Sequence, residues 1–99
     1  MNKFLKLIKS LPVVKKTGKT PFSGAAGTDF VIANYVLGDG LNTLLMEKLA
    51  DSEQNLPKLE EGKWYNVQFR LDVREYTDNY NQRRYIQRVV LERIAEVNN

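Results

Sequence analysis

The stretch from Arg70 to Arg88 holds Arg70, Arg74, Arg83, Arg84 and Arg88, interleaved with Tyr76, Tyr80 and Tyr85. Flat rings stack on nucleobases and guanidinium groups neutralise phosphates. A segment that offers both suits sequence-tolerant binding of single-stranded nucleic acid. The same side chains have a plainer use: the tyrosines cover the end of a core, and the arginines pair with Asp72, Glu75 and Asp78. A second segment, Lys15 to Thr28, reads KKTGKTPFSGAAGT. It sets Lys15, Lys16 and Lys19 beside glycines, which let backbone amides approach a phosphate closely. Phe22 fits a core poorly there and could stack on a base. The plainer reading of this segment is a solvated hairpin tip.

Much chemistry is excluded by residue type. The chain has no cysteine and no histidine. Disulfides, zinc–thiolate sites, cysteine nucleophiles and histidine acid–base catalysis are therefore out of reach. Gly18-Lys19-Thr20 matches the end of a phosphate-binding P-loop, but Val13 stands where the loop's first glycine is required. No acid–base pair or metal constellation stands out, so the expectation is a protein that is not an enzyme and takes no cofactor. The net charge of +3 is unevenly spread: residues 1–20 hold six lysines and no acid, residues 21–62 carry −5, and residues 63–99 carry +2. That distribution suggests a basic face and an acidic face, the alternative being an ordinary solvated surface of mixed charge. The acidic cluster Asp51, Glu53, Glu60 and Glu61 is read as a solvated face that could instead keep nucleic acid off the back of the molecule.

The elements that must position these groups read as strands. With 99 residues the chain makes one domain, 1–99. Leu5, Leu7, Leu11 and Val13 alternate through Phe4 to Val14, with Ile8 breaking the register and Pro12 marking an edge or a bend. A helix over residues 2–11 is the competing pattern. Lys15 to Thr28 is expected as a loop. Phe30, Val31, Ile32, Tyr35 and Val36 make Asp29 to Leu37 a strand, and Gly38-Asp39-Gly40 closes a tight turn. Thr43 to Leu49 is read as a strand despite its helical composition. Asp51 to Gly62 is read as an acidic loop with one helical turn at most. Val67, Phe69, Leu71 and Val73 alternate strictly with Gln68, Arg70, Asp72 and Arg74, so the first four are expected to point inward. A turn at Asp78-Asn79 leads to a last strand, Tyr85 to Ile94. Trp64 is expected to plug one end of the core, and Tyr35 to be structural.

Five short strands imply an all-β fold, a small five-stranded antiparallel barrel of the oligonucleotide-binding (OB) type, with an SH3-like barrel as the nearest competitor. In an OB barrel the second and third strands hold the ligand, flanked by the loops between strands 1 and 2 and strands 4 and 5. The two segments of unusual composition fall in those two loops. The pieces LKLIKSLPVVKKTGKTPF, EEGKWYNVQFRLDVREY and RRYIQRVVLERI also resemble a family of small bacterial proteins, abundant in Bacteroidetes and their phages. The resemblance rests on Leu11 to Val14, on Gly62 and on Arg74 to Tyr76. It implies an OB fold similar to that of single-stranded-DNA-binding proteins. The chain departs from the family pattern in a shorter middle and a longer hairpin from Tyr76 to Arg84.

The expected function is non-catalytic binding of single-stranded DNA, with RNA the alternative, in replication or recombination. Lys15, Lys16, Lys19, Arg70, Arg74, Arg83 and Arg84 would meet phosphates, and Phe22, Tyr76, Tyr80 and Tyr85 would meet bases. A homo-oligomer or other replication and recombination proteins are the expected partners. The competing function is a protein–protein or assembly module on the same barrel, since Tyr and Arg are also interface residues. No stretch approaches the roughly 20 apolar residues of a membrane span, and MNKFLKLIKSLPVVKK lacks the long apolar core of a secretory signal. A cytoplasmic location is the expectation.

Overall fold

The computed structural model describes residues 1–18 and 28–97. Six strands follow one another: β1 (Asn2–Ser10), β2 (Val14–Gly18), β3 (Thr28–Gly38), β4 (Thr43–Ala50), β5 (Trp64–Thr77) and β6 (Arg83–Glu96). A single 3-10 turn, Glu53–Asn55, interrupts the link between β4 and β5. The pattern expected of one first strand is split in two by physics visible in the sequence. Leu5 and Leu7 are buried and the lysines between and around them are exposed. At Ile8 the register against β3 slips, between Leu7 and Lys9, and Ile8 turns outward. Pro12 has no N–H for a ladder, and the chain leaves the sheet until Val14. The Leu11 amide still donates to the Asn34 carbonyl at 2.9 Å, which holds the break against β3.

β3 serves both pieces. Tyr35 to Gly38 pairs with β1, and Thr28 to Ile32 pairs with β2. From β3 the pairing passes to β4, then to β6, β5 and β1, which meets β3 again. The six-stranded sheet is thus partly ringed. Every pairing is antiparallel except β4 with β6, which run parallel over Met46–Val89 and Glu47–Val90. The expected five antiparallel strands are therefore corrected to six, with one parallel contact. Part of the expected loop from Lys15 to Thr28 is also strand: Lys15 and Lys16 lie in β2, paired with Val31 and Phe30.

Inside the ring lie Leu5, Leu7, Leu37, Met46, Val67 and Leu91, with Tyr35, Tyr65 and Phe69 around them. The segment after the 3-10 turn seats Leu56 on this core. Two tyrosine hydroxyls tie the segment down: Tyr35 donates to the Pro57 carbonyl at 3.3 Å, and Tyr65 accepts from the Glu60 amide at 2.8 Å. Burial pushes the Tyr35 phenol up from its usual range. Tyr35 is structural, as expected. Trp64 is not the expected plug: its ring lies on the outside of the sheet.

β5 and β6 are each 14 residues long and outrun the ring. They pair antiparallel up to Thr77–Arg83, forming a two-stranded arm closed by a turn at Asp78–Gln82. Only the first half of the β5 alternation is core. Val67 and Phe69 are buried, but Leu71 is 50 % and Val73 61 % exposed. The expectation that all four point into a core is corrected. They do share a face, but the core reaches only to Val89, opposite Leu71, and among the described residues Val73 beyond it is left exposed.

Candidate functional site

The arm has two faces, fixed by strand pleat and by the register across the turn. On the face continuous with the core lie Leu71 opposite Val89, Val73 opposite Gln87, Glu75 opposite Tyr85 and Thr77 opposite Arg83. Its two charges pair with each other, Arg83 Nε standing 3.4 Å from Glu75. That face is apolar toward the ring, polar toward the tip, and neutral in sum.

On the outward face lie Arg70 opposite Val90, Asp72 opposite Arg88, Arg74 opposite Ile86 and Tyr76 opposite Arg84. Each successive pair thus contributes one guanidinium. Arg70, Arg88, Arg74 and Arg84 form a zigzag row that advances by roughly 7 Å per step, two residues of strand rise. Asp72 is the carboxylate set within the row, 4.0 Å from Arg74. Arg88 reaches back to Glu47 of β4 at 3.4 Å, tying the arm to the ring. Among the described residues Arg70 has no carboxylate within ion-pair distance. The Asp72–Arg74 pair is exposed and contributes little to stability, so an anion of higher charge can displace it.

At the tip, Asp78 organises the turn. Its carboxylate accepts from Arg84 Nε at 2.9 Å and from the amides of Tyr80 and Gln82 at 2.9 and 3.0 Å. The Arg84 guanidinium and then the Gln82 amide hold its carboxyl below the usual range. Asn81 takes the left-handed conformation, φ 59°, that lets the chain reverse. Tyr80 is carried out into solvent, 84 % exposed.

The structure sorts the sequence-predicted residues into groups. Arg70, Arg74, Tyr76 and Arg84 share the outward face; Arg83 and Tyr85 stand on the opposite one; Tyr80 is at the tip. Lys15 and Lys16 are exposed on opposite faces of β2. β2 pairs with β3 and not with the arm, so strand pairing does not bring these lysines into register with the arginines. Lys19 and Phe22 lie outside the described residues. Arg88, absent from the predicted set, completes the row, and its position depends on the β5–β6 register. Among the described residues no group of three acidic or other ligand-type side chains could hold a metal, and no helix is long and apolar enough to cross a membrane. Compared with known proteins, the chain matches no family model, no curated sequence and no solved structure.

Proposed function

We propose that the protein is an OB-type barrel that holds single-stranded nucleic acid, DNA in the first instance, without acting on it chemically. Support for the fold comes from counting β1 and β2 as one interrupted strand. The pairing order then runs first, second, third, fifth, fourth and back to first, a Greek-key closure of five strands. Support for the ligand comes from one observation, the row Arg70, Arg88, Arg74 and Arg84 with Tyr76 on the same face. Guanidinium groups at regular spacing follow a backbone whose charge repeats, and a neighbouring ring serves bases of any identity. The arm is the hairpin that an OB barrel directs toward its ligand.

A second reading is favoured by the opposite face. Leu71, Val73 and Tyr85 are exposed there, which suits an interaction or assembly module. An anisotropy titration with labelled oligo-dT at two salt concentrations separates the two readings. Binding that weakens with salt, with a log–log slope near −3 if about four phosphates are contacted at roughly 0.7 each, is expected. No binding at low salt would overturn the proposal in favour of the interaction module.

A further inference from the structure

The outward face of β5 does not end where the arm meets the ring. Strand alternation continues it through Gln68 and Asn66 to Trp64. From Tyr76 to Trp64 it spans roughly 40 Å at about 3.4 Å per residue. β6 adds Arg93 opposite Gln68, and β1 adds Phe4 opposite Asn66 and Lys6 opposite Trp64. The stripe that begins with arginines and Tyr76 thus ends on the outer surface of β1 and β5.

Two aromatic rings stand at that end. Phe4 and Trp64 stack on each other, centroids 4.8 Å apart and planes 15° from parallel. They are 49 % and 37 % exposed, so neither is core. Stacked rings keep one face each, on opposite sides of the pair. Phe4 borders a shallow depression with Asn2, Asn66, Gln68 and Arg93, and Trp64 borders another with Lys6 and three glycines, Gly38, Gly40 and Gly62. At Gly40 and Gly62 even an added Cβ would meet nothing within 4 Å, so the Trp64 side lies beside open space. No carboxylate lines either depression. Free ring faces, amides that both donate and accept, and cations without acids are the chemistry that receives a nucleobase and its phosphate.

We infer that the Phe4–Trp64 pair is a base-stacking platform at the foot of a single-strand track that runs the outward face of β5 to Tyr76. The inference rests on the nucleic-acid reading proposed above and adds a site to it. It places the strand along β5, away from the face of β3 and β4 that OB topology would nominate. That face carries Ile32, Val36, Leu45 and Leu49 about Asn34 and Glu47, and is mostly aliphatic. At roughly 3.4 Å per stacked nucleotide, and up to about twice that when extended, a 40 Å track holds on the order of 6–12 nucleotides, within the usual range for one OB fold.

Trp64 is the only tryptophan, so its emission reports this site without a label. Unlabelled dT12 is titrated against the wild-type protein, with anisotropy of labelled dT12 measured in parallel. Trp64 emission is expected to be quenched along the same isotherm as the anisotropy. Phe4→Leu and Trp64→Leu are each expected to weaken dT12 binding about tenfold with little change in melting temperature, and Trp64→Phe to keep most of the affinity. Anisotropy that reports binding while Trp64 emission stays constant would overturn the platform and leave the proposed function standing. Wild-type affinity in Trp64→Leu would do the same. Should a leucine variant fail to fold, the wild-type quenching alone decides. No binding of dT12 by either signal at low salt would overturn both.

Discussion

In the first half of β5 the inward side chains Tyr65, Val67 and Phe69 are buried among Leu5, Leu7, Met46 and Leu91. In the second half Leu71 and Val73 occupy the same face and stand in solvent. The outward face meanwhile runs unchanged through both halves, from Trp64 to Tyr76. Alternation therefore reports which side chains share a face, and says nothing about whether a second layer covers that face. Coverage is decided by partners distant in sequence, here β1, β3 and β4, which surround the first half and reach no further along the arm than the Leu71–Val89 pair, where β4 meets β6. An uncovered two-stranded ribbon is marginal in water by itself. The arm is held by the ring at its root and by its own turn at its tip.

The largest effect should come from substitutions that test this contrast directly. Phe69→Ala empties a buried site and is expected to cost roughly 3–5 kcal/mol. Val73→Ala, four residues along the same face, is expected to stay within about 0.5 kcal/mol. Urea unfolding of both variants measures the difference. Equal losses would mean that Val73 is covered in solution, by a second copy or by other chain, and would erase the distinction between the halves.

The two faces of the arm make the next comparison. Removing Arg70 and Arg74 together as glutamines takes two cations from the outward row. The slope of log affinity for oligo-dT against log salt should flatten by roughly 1.4, at about 0.7 per lost phosphate contact. Arg83→Gln removes a cation from the opposite face, where Arg83 already faces Glu75, and should leave the slope unchanged. A flattening by Arg83→Gln equal to that per residue on the outward face would mean that the ligand does not discriminate between faces.

Parts of this arrangement are legible in the sequence, and the reasons are local. The strict alternation from Tyr65 to Arg74 identifies β5 and its faces. Ile8 and Pro12 mark the slip and the break in the first strand, because one disturbs the period of two and the other lacks an N–H. What is not legible depends on pairing across distance. The parallel contact of β4 with β6 leaves no local mark. Nor does the parity of the tip: five residues, Asp78 to Gln82, separate β5 from β6, and that number decides that Arg84 and Arg88 join Arg70 and Arg74 while Arg83 and Tyr85 do not. The outward place of Trp64 is legible too, since it alternates with Tyr65 and Val67 on the polar side. Its size points the other way, to a core.

Tyr80 sets the tip apart from the rest of the arm. It has no core to support, so Tyr80→Ala should leave the melting temperature almost unmoved. If its ring stacks on a base, affinity for oligo-dT should fall about tenfold, equivalent to roughly 1.4 kcal/mol. Tyr80→Phe should retain most of the binding, because stacking needs the ring and not the hydroxyl. Wild-type affinity in Tyr80→Ala would confine the interface to the flank of the arm.

The smallest effect is a matter of acid. Asp78 in the arm and Asp39 in the ring do the same work, each accepting backbone amides across a tight turn. Both carboxyls are held below the usual range, Asp39 by the Asn42 and Leu41 amides, Asp78 first by Arg84. A carboxyl depressed in the folded protein takes up its proton more readily once the turn opens. Its contribution is complete above the ordinary value of about 3.9 and is lost as pH falls through the lower folded value. The two turns differ in what lies behind them. The Asp39 turn joins β3 and β4, which are paired along their length and packed on the core; the Asp78 turn closes a ribbon with neither face covered. Below pH 4 the amides of Tyr80 and Gln82 should therefore lose protection from hydrogen exchange while those of Leu37 and Val67 keep theirs. Asp78→Asn should remove the pH dependence at the tip and leave the ring untouched. Simultaneous loss of protection at Tyr80 and Val67 would show that arm and ring open as one unit, and the contrast between the two halves of β5 would then be one of exposure alone and not of stability.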